Sequence, residues 1–198
     1  MPPPPAAERN RRGRPRDGAN DVAILDAAER LLGRRGYEAM TIDQVAAAAG
    51  VSKPTIYLRY RSKRELVEAM IDRLRPPLPQ GPTGSVERDL VALIELERDW
   101  VDQHGLRIVA AVLLEQDEHP ELMERFQQRV VEPVRAAFSA VLEGAVERGE
   151  LPEAAAGAEV IDALTGAYWS RSWTREGFPD DWSRRLVGAV LQLVGPRG

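Results

Sequence analysis

Lys53, Pro54, Thr55, Tyr57 and Arg59 set a cation, a hydroxyl, a small apolar surface, an aromatic ring and a guanidinium within one short stretch of chain. That is the repertoire that bonds base edges, touches thymine methyls and neutralises phosphates in a major groove. Such chemistry needs a rigid helix to present it, so the residues that start and stop helices around it decide whether the reading holds. Thr41 and Gln44 have the Thr-x-x-Gln spacing of a capping box, in which each side chain satisfies a backbone amide at the other's end. Gly50 stands where a left-handed residue closes that helix. Ser52 then caps a second helix with Pro54 in its first turn, where the missing amide proton costs nothing. Ser62 with Glu65 repeats the capping box, begins a third helix and confines the second to residues 53–61. Val45 and Ala49, Ile56 and Tyr60, and Val51 in the turn can share a small core, which leaves the basic face outward. Cap, turn, cap and basic face together predict a helix-turn-helix for DNA.

With those residues in place, the stretch 20–71 resembles the DNA-binding domain of the TetR family of transcriptional regulators. The motifs that carry the resemblance are a first helix ending in Gly36-Tyr37, the Thr41 start, the Ala49-Gly50-Val51 turn, a recognition helix ending in Tyr60, and the Ser62-Lys63 start of the next helix. The resemblance implies that groups near Thr41 and Lys63 grip phosphates. It also implies that Lys53, Pro54, Thr55, Tyr57 and Arg59 face the groove, with Ser52 beside them among the DNA-binding residues. Asp43 departs from the pattern, since some members carry a basic, base-reading residue there; here the carboxylate favours its helix dipole.

Residues 1–19 are rich in Pro, Gly and Arg, cannot bury a core, and are expected to form a disordered basic arm. They lack the apolar stretch of a secretory signal, and the prolines at positions 2–5 speak against a mitochondrial one. Arg11-Arg12-Gly13-Arg14-Pro15-Arg16 is similar to the core of an AT-hook, in which an extended backbone lays arginines, here Arg12, Arg14 and Arg16, into a narrow minor groove. The alternative is a solubilising basic tail.

Charge is divided along the chain. Residues 1–75 carry fifteen Lys and Arg against ten Asp and Glu, whereas residues 76–198 carry twelve against twenty-one. Only the first part suits an approach to phosphate. No stretch is apolar enough to span a bilayer, so no membrane partner is expected. There is no cysteine, which excludes disulfides, thiolate metal sites and a Cys nucleophile and is compatible with a reducing cytoplasm. His104 and His119 are the two histidines, with no metal-ligand spacing between them. A Gly-rich phosphate loop and any arguable Ser-His-Asp spacing are also missing, so neither an enzyme nor a bound cofactor is expected.

The helix-turn-helix domain is placed at residues 20–75. The proline-rich stretch 76–82 breaks the third helix and marks a boundary, and residues 83–198 read as a second all-helical domain. Ser85 caps a helix to about residue 103 with Leu90, Leu93, Ile94, Glu97 and Val101 at helical spacing. Residues 106–118 form another, and residues 120–148 one long helix that Pro133 should bend. Two more are expected at 154–171 and 180–194. The fold class is therefore all-α: a three-helix helix-turn-helix domain followed by a second helical domain, for which the family resemblance implies ligand binding and dimerisation.

The family resemblance further implies that the last two helices form a homodimer and that the domain interior holds a small-molecule effector. Val160, Ile161, Leu164 and Tyr168 form one apolar stripe, flanked by Gly157, Ala163 and Gly166; Trp182, Leu186, Val187, Val190 and Leu191 form the other. Two such faces suit a four-helix interface, the alternative being that they complete the monomer core. Candidate pocket residues are the aromatics Trp100, Phe126, Phe138, Tyr168, Trp169 and Trp173, with His104 and Glu115 as polar groups. The expected function is a sequence-specific regulator that binds a double-stranded, near-palindromic operator and is released by an effector. The rival is an architectural protein that binds DNA nonspecifically through its arginine arm. Deletion of residues 1–16 is expected to weaken binding most on duplexes with A·T-rich flanks, measured by titration against matched A·T- and G·C-flanked sites; equal loss on both leaves only a nonspecific tail.

Overall fold

The computed structural model describes residues 14–174 and 176–195. All regular elements among them are helical, and the chain divides after Met70 into two compact units.

The first unit is built on helix α1 (Arg14–Ala39), which begins before residue 20. Pro15 falls in its first turn, where a proline takes away no helical hydrogen bond. Arg14 to Arg16 are therefore helical where extended backbone was expected; Arg12 and the rest of residues 1–13 lie outside the described residues. At Gly36 α1 breaks its own geometry (φ 75°, ψ 173°), a conformation open to glycine. Tyr37 and Met40 beyond the break turn inward and are buried with Ile24, Ala28 and Leu32.

Helix α2 (Ile42–Ala49) opens with the predicted box: the Gln44 amide donates to Thr41 Oγ1 at 3.3 Å and the Thr41 amide to Gln44 Oε1 at 3.2 Å. It closes on Gly50 in the left-handed region (φ 67°, ψ 29°), whose amide returns to the carbonyls of Ala46 and Ala47. Helix α3 (Lys53–Tyr57) starts at Ser52, whose Oγ accepts from the Thr55 amide at 3.3 Å. Helix α4 (Lys63–Arg73) starts at Ser62, whose Oγ accepts from the Glu65 amide at 3.1 Å. The Glu65 carboxylate accepts from the amide of Arg61, one residue before the predicted partner. Val45, Ile56, Leu66, Val67 and Met70 are fully buried and lock the three helices to α1.

The second unit is organised on α5 (Val86–His104), which packs against α8 (Glu132–Glu147), α9 (Ala158–Ser172) and α10 (Trp182–Val194). Its start is anchored by Asp89, a buried carboxylate that accepts from the Thr83 amide at 2.8 Å and the Thr83 hydroxyl at 2.6 Å. This ties the end of the proline-rich connection to the core. Helix α6 (Leu106–Leu113) stops five residues short of expectation, in a run of turns that ends at Pro120.

The helix expected over residues 120–148 is three pieces: α7 (Pro120–Phe126), a π-helical turn (Gln127–Val131) and α8. Pro133 accounts for this. It offers no amide to the carbonyl four residues before and its ring crowds that carbonyl, and a widened turn just ahead of it removes the conflict with less bending than a kink. Similarly the helix expected at 154–171 is a 3₁₀ turn (Glu153–Ala156), an extended Gly157, then α9.

Gly50→Ala is expected to lower stability by about 1–2 kcal/mol through left-handed strain alone, since nothing lies within 4 Å of the added methyl. Urea denaturation checks it, with Gly50→Asn recovering part of the loss.

Candidate nucleic-acid interface and ligand cavity

The N-terminal end of α2 and the short helix α3 set Thr41, Asp43, Ser52, Lys53, Pro54 and Tyr57 on the exposed side of the first unit, with Thr55 half-buried. Tyr57 is 46% exposed although it is aromatic, and Leu58, which follows it, is 85% exposed. A large apolar side chain left in water beside the basic helix start is the feature that helical periodicity failed to single out. Lys53 is not free: its Nζ donates to Asp43 Oδ2 at 3.0 Å. That hydrogen bond holds the ammonium above its ordinary pKa. The pair joins the first turns of α2 and α3 and gives Asp43 a definite role.

Two cations of the expected set point elsewhere. Arg59 pairs with Asp21 of α1 and donates to its own helix at the Thr55 carbonyl (3.1 Å), so it braces α3 on α1. Lys63 donates to the Tyr37 carbonyl at 2.9 Å and stands 4.1 Å over the Tyr37 ring, stitching α4 to the chain beyond the Gly36 break. The side chains of Arg14 and Arg16 lie outside those described.

In the second unit a cavity of about 220 Å³ opens among α5, α6, α7, the π turn, α8 and α9. Three of the expected aromatics, Trp100, Phe126 and Trp169, line it together with Leu96, Val109, Val130, Val131 and Val134. The others do not. Phe138 is fully buried elsewhere in the core, Tyr168 stacks on Phe178 (5.3 Å) and meets Trp182, and Trp173 is 79% exposed. His104 lies against the far side of Trp100, with ring centroids 5.0 Å apart, and Glu115 lies in the turns after α6.

The polar group that the cavity does hold is Glu97. Its Oε2 is buried with no hydrogen-bond partner, and burial pushes its pKa from 4.5 to about 7. The signal was visible, since Glu97 stands in register with Leu90, Leu93, Ile94 and Val101, where a solvated helix face has no place.

The cavity wall is joined to the end of α4. Trp100 Nε1 donates to the Leu74 carbonyl. Beside Phe126 and Val130, Arg125 grips the Asp72 carboxylate with two nitrogens, its Nε at 2.8 Å from Oδ1, and Arg129 Nε lies 2.9 Å from the same oxygen.

The apolar stripes of α9 and α10 serve mainly the core of the single chain. Val160, Ile161, Leu164, Tyr168, Trp182, Val187 and Val190 are all buried within it, leaving Leu186 and Leu191 half-buried. Within the single chain α9 and α10 turn the faces of those seven residues onto α5 and each other. The outward faces carry Ala163, Gly166 and Ser170 on α9 and Ala189 and Leu193 on α10, with Leu193 78% exposed.

Residues 24–70 match the family described as bacterial regulatory proteins, tetR family, and residues 81–190 match the tetracyclin repressor-like C-terminal domains. An HTH-type transcriptional regulator of Mycobacterium tuberculosis is 39% identical over 153 residues, 77% of this chain and 75% of that one. The HTH-type regulator YdeS of Bacillus subtilis is 32% identical over 181 residues, 90% and 91% of the two chains. Among solved structures, MexZ, a key repressor responsible for antibiotic resistance in Pseudomonas aeruginosa, aligns with TM-score 0.71 and 25% identity over 89% of this chain and 95% of its own. No helix among the described residues is long and apolar enough to cross a membrane.

The raised pKa of Glu97 fixes a sign for stability. Below about pH 4.5 the group is neutral folded or unfolded; as pH rises through the window from 4.5 to 7 only the unfolded chain ionises, and stability falls until about pH 7. Glu97→Gln is therefore expected to be more stable than the parent at pH 8, by up to about 3 kcal/mol, and to lose that advantage towards pH 5. Urea titrations at the two pH values test this, and a difference that does not vary with pH contradicts it.

Proposed function

Since the chain belongs to the TetR family of bacterial transcriptional regulators, we propose that it is a repressor that binds a near-palindromic operator as a homodimer and leaves it when a small molecule enters the cavity beside Glu97. Base readout falls to Lys53, Pro54, Thr55 and Tyr57, with Leu58 against sugar or thymine methyl, and phosphate contact to the helix starts at Thr41 and Ser52. Arg59 and Lys63 act indirectly by holding α3 and α4 in place. Arg12, in the basic stretch ahead of α1, adds minor-groove contact, while Arg14 and Arg16 stand on the first turn of that helix. In this reading the arm is the stretch before α1, residues 20–75 form the DNA-binding domain and residues 83–198 the regulatory domain.

The observation that carries the effector reading is the continuity between cavity and α4. Phe126, Val130 and Val131 form cavity wall, while Arg125 and Arg129, on the same stretch, hold Asp72. A ligand that spreads the wall shifts the π turn, and the turn carries Asp72 and α4 with it. Because α4 begins at the helix-turn-helix, the spacing of the two recognition helices changes. The ligand acts only through its different affinity for the two arrangements.

Dimerisation uses the outward small-residue faces of α9 and α10, where Ala163, Gly166 and Ala189 permit close helix approach and Leu186 and Leu193 supply apolar area.

Selection of bound duplexes from a random pool tests the DNA reading. A palindrome with half-sites about 34–36 Å apart is expected, and Tyr57→Ala or Lys53→Ala should relax the preference by about 1–3 kcal/mol at its own base. Binding with no consensus, falling steeply with salt on every duplex, favours the architectural role instead.

A further inference from the structure

The cavity in the second unit also says what class of molecule fits it. Its wall is aromatic and aliphatic, and three of its polar groups already have partners. Arg135 pairs with Asp162 at 2.7 Å, the Thr165 hydroxyl donates to the Ile161 carbonyl at 2.9 Å, and the Trp100 indole donates to Leu74. Of the cavity's lining residues, Glu97 presents a buried acceptor oxygen with no hydrogen-bond partner among the described residues. An anion placed there would face a carboxylate. A neutral apolar ligand would leave that oxygen as it is and gain nothing from it. A cation would meet the carboxylate while its apolar body lies against Trp100, Phe126 and Trp169, whose ring faces attract positive charge.

Size narrows the class. An apolar cavity of ~150 Å³ holds benzene, so the 220 Å³ here suits one ring with a short chain, about ten non-hydrogen atoms.

Resting on the effector reading above, we propose that the ligand is a small organic monocation, an ammonium group on a compact ring-bearing body, and that Glu97 is its specificity determinant by accepting its N–H hydrogen bonds. Arg135, a second cation in the cavity lining that pairs with Asp162 at 2.7 Å, disfavours a further positive charge and so discriminates against dications. The site is tuned to one charge: a single carboxylate in an apolar wall compensates one ammonium and no more.

Isothermal titration of the full-length chain, without DNA, tests this with three probes of matched shape: 2-phenylethylamine, 2-phenylethanol and 3-phenylpropanoate. The amine is expected to bind the parent at least tenfold more tightly than the alcohol or the acid. Glu97→Gln, nearly the same shape, should lower amine affinity by about tenfold to a hundredfold while leaving the alcohol unchanged. Circular dichroism confirms that the variant is folded. The proposal is overturned if the amine does not bind the parent, if alcohol or acid binds as well as the amine, or if Glu97→Gln binds the amine undiminished. An operator release assay run alongside separates the two ideas. Amine binding without release fails the repressor mechanism and keeps the ligand class, whereas release by a neutral or anionic molecule keeps the mechanism and fails the ligand class.

Discussion

Asp72 is the residue on which the proposed regulation turns. One carboxylate near the end of α4 receives two nitrogens of Arg125 and one of Arg129, so the helix that starts beside the DNA-contacting elements ends clamped to the wall of a cavity. The groups are each roughly a third to a half exposed, and pairs in that setting contribute little to stability, about 1 kcal/mol or less apiece. Their importance is geometric. A bidentate guanidinium fixes direction as well as distance, and the π turn that holds Arg129 exists because Pro133 forbids a regular helix there. A backbone irregularity is thereby placed between the cavity and the end of α4.

The DNA-contacting end follows the opposite strategy. Every helix start in the motif is fixed by a side chain of its own, Thr41, Ser52 or Ser62, and the turn by a left-handed Gly50. Arg59 and Lys63 spend their charge inside the unit on Asp21 and Tyr37. Lys53 is the cation held at the surface, and Asp43 occupies it in the unbound protein. At this exposure the pair is weak, so in the proposed reading Lys53 exchanges Asp43 for a base or phosphate at little cost.

What the sequence made legible was whatever is local. The Thr41 capping box, the Ser52, Ser62 and Ser85 starts, the Gly50 stop and the all-helical architecture depend on residues within a few positions of one another, and each was found where spacing placed it. What depends on packing was not legible. The stripes of α9 and α10 could serve either a dimer or the monomer, and only the arrangement around α5 assigns seven of their residues to the monomer. The partners of Arg59 and Lys63, Asp21 and Tyr37, lie far back in the chain and could not be read from local spacing. The π turn was missed because Pro133 announces a conflict without saying how it is relieved. Glu97 is the instructive case: its position in an apolar register was written in the sequence, and its meaning came only when the cavity gave that register something to face.

The central claim is that the cavity wall and α4 are coupled through Asp72. A double-mutant cycle on operator binding tests it most directly, using Val131→Phe to crowd the wall and Asp72→Asn to loosen the clamp. The account predicts that Val131→Phe weakens operator binding in the parent and has little effect once Asp72 is replaced, a coupling of about 1–2 kcal/mol. Additive effects of the two substitutions contradict it.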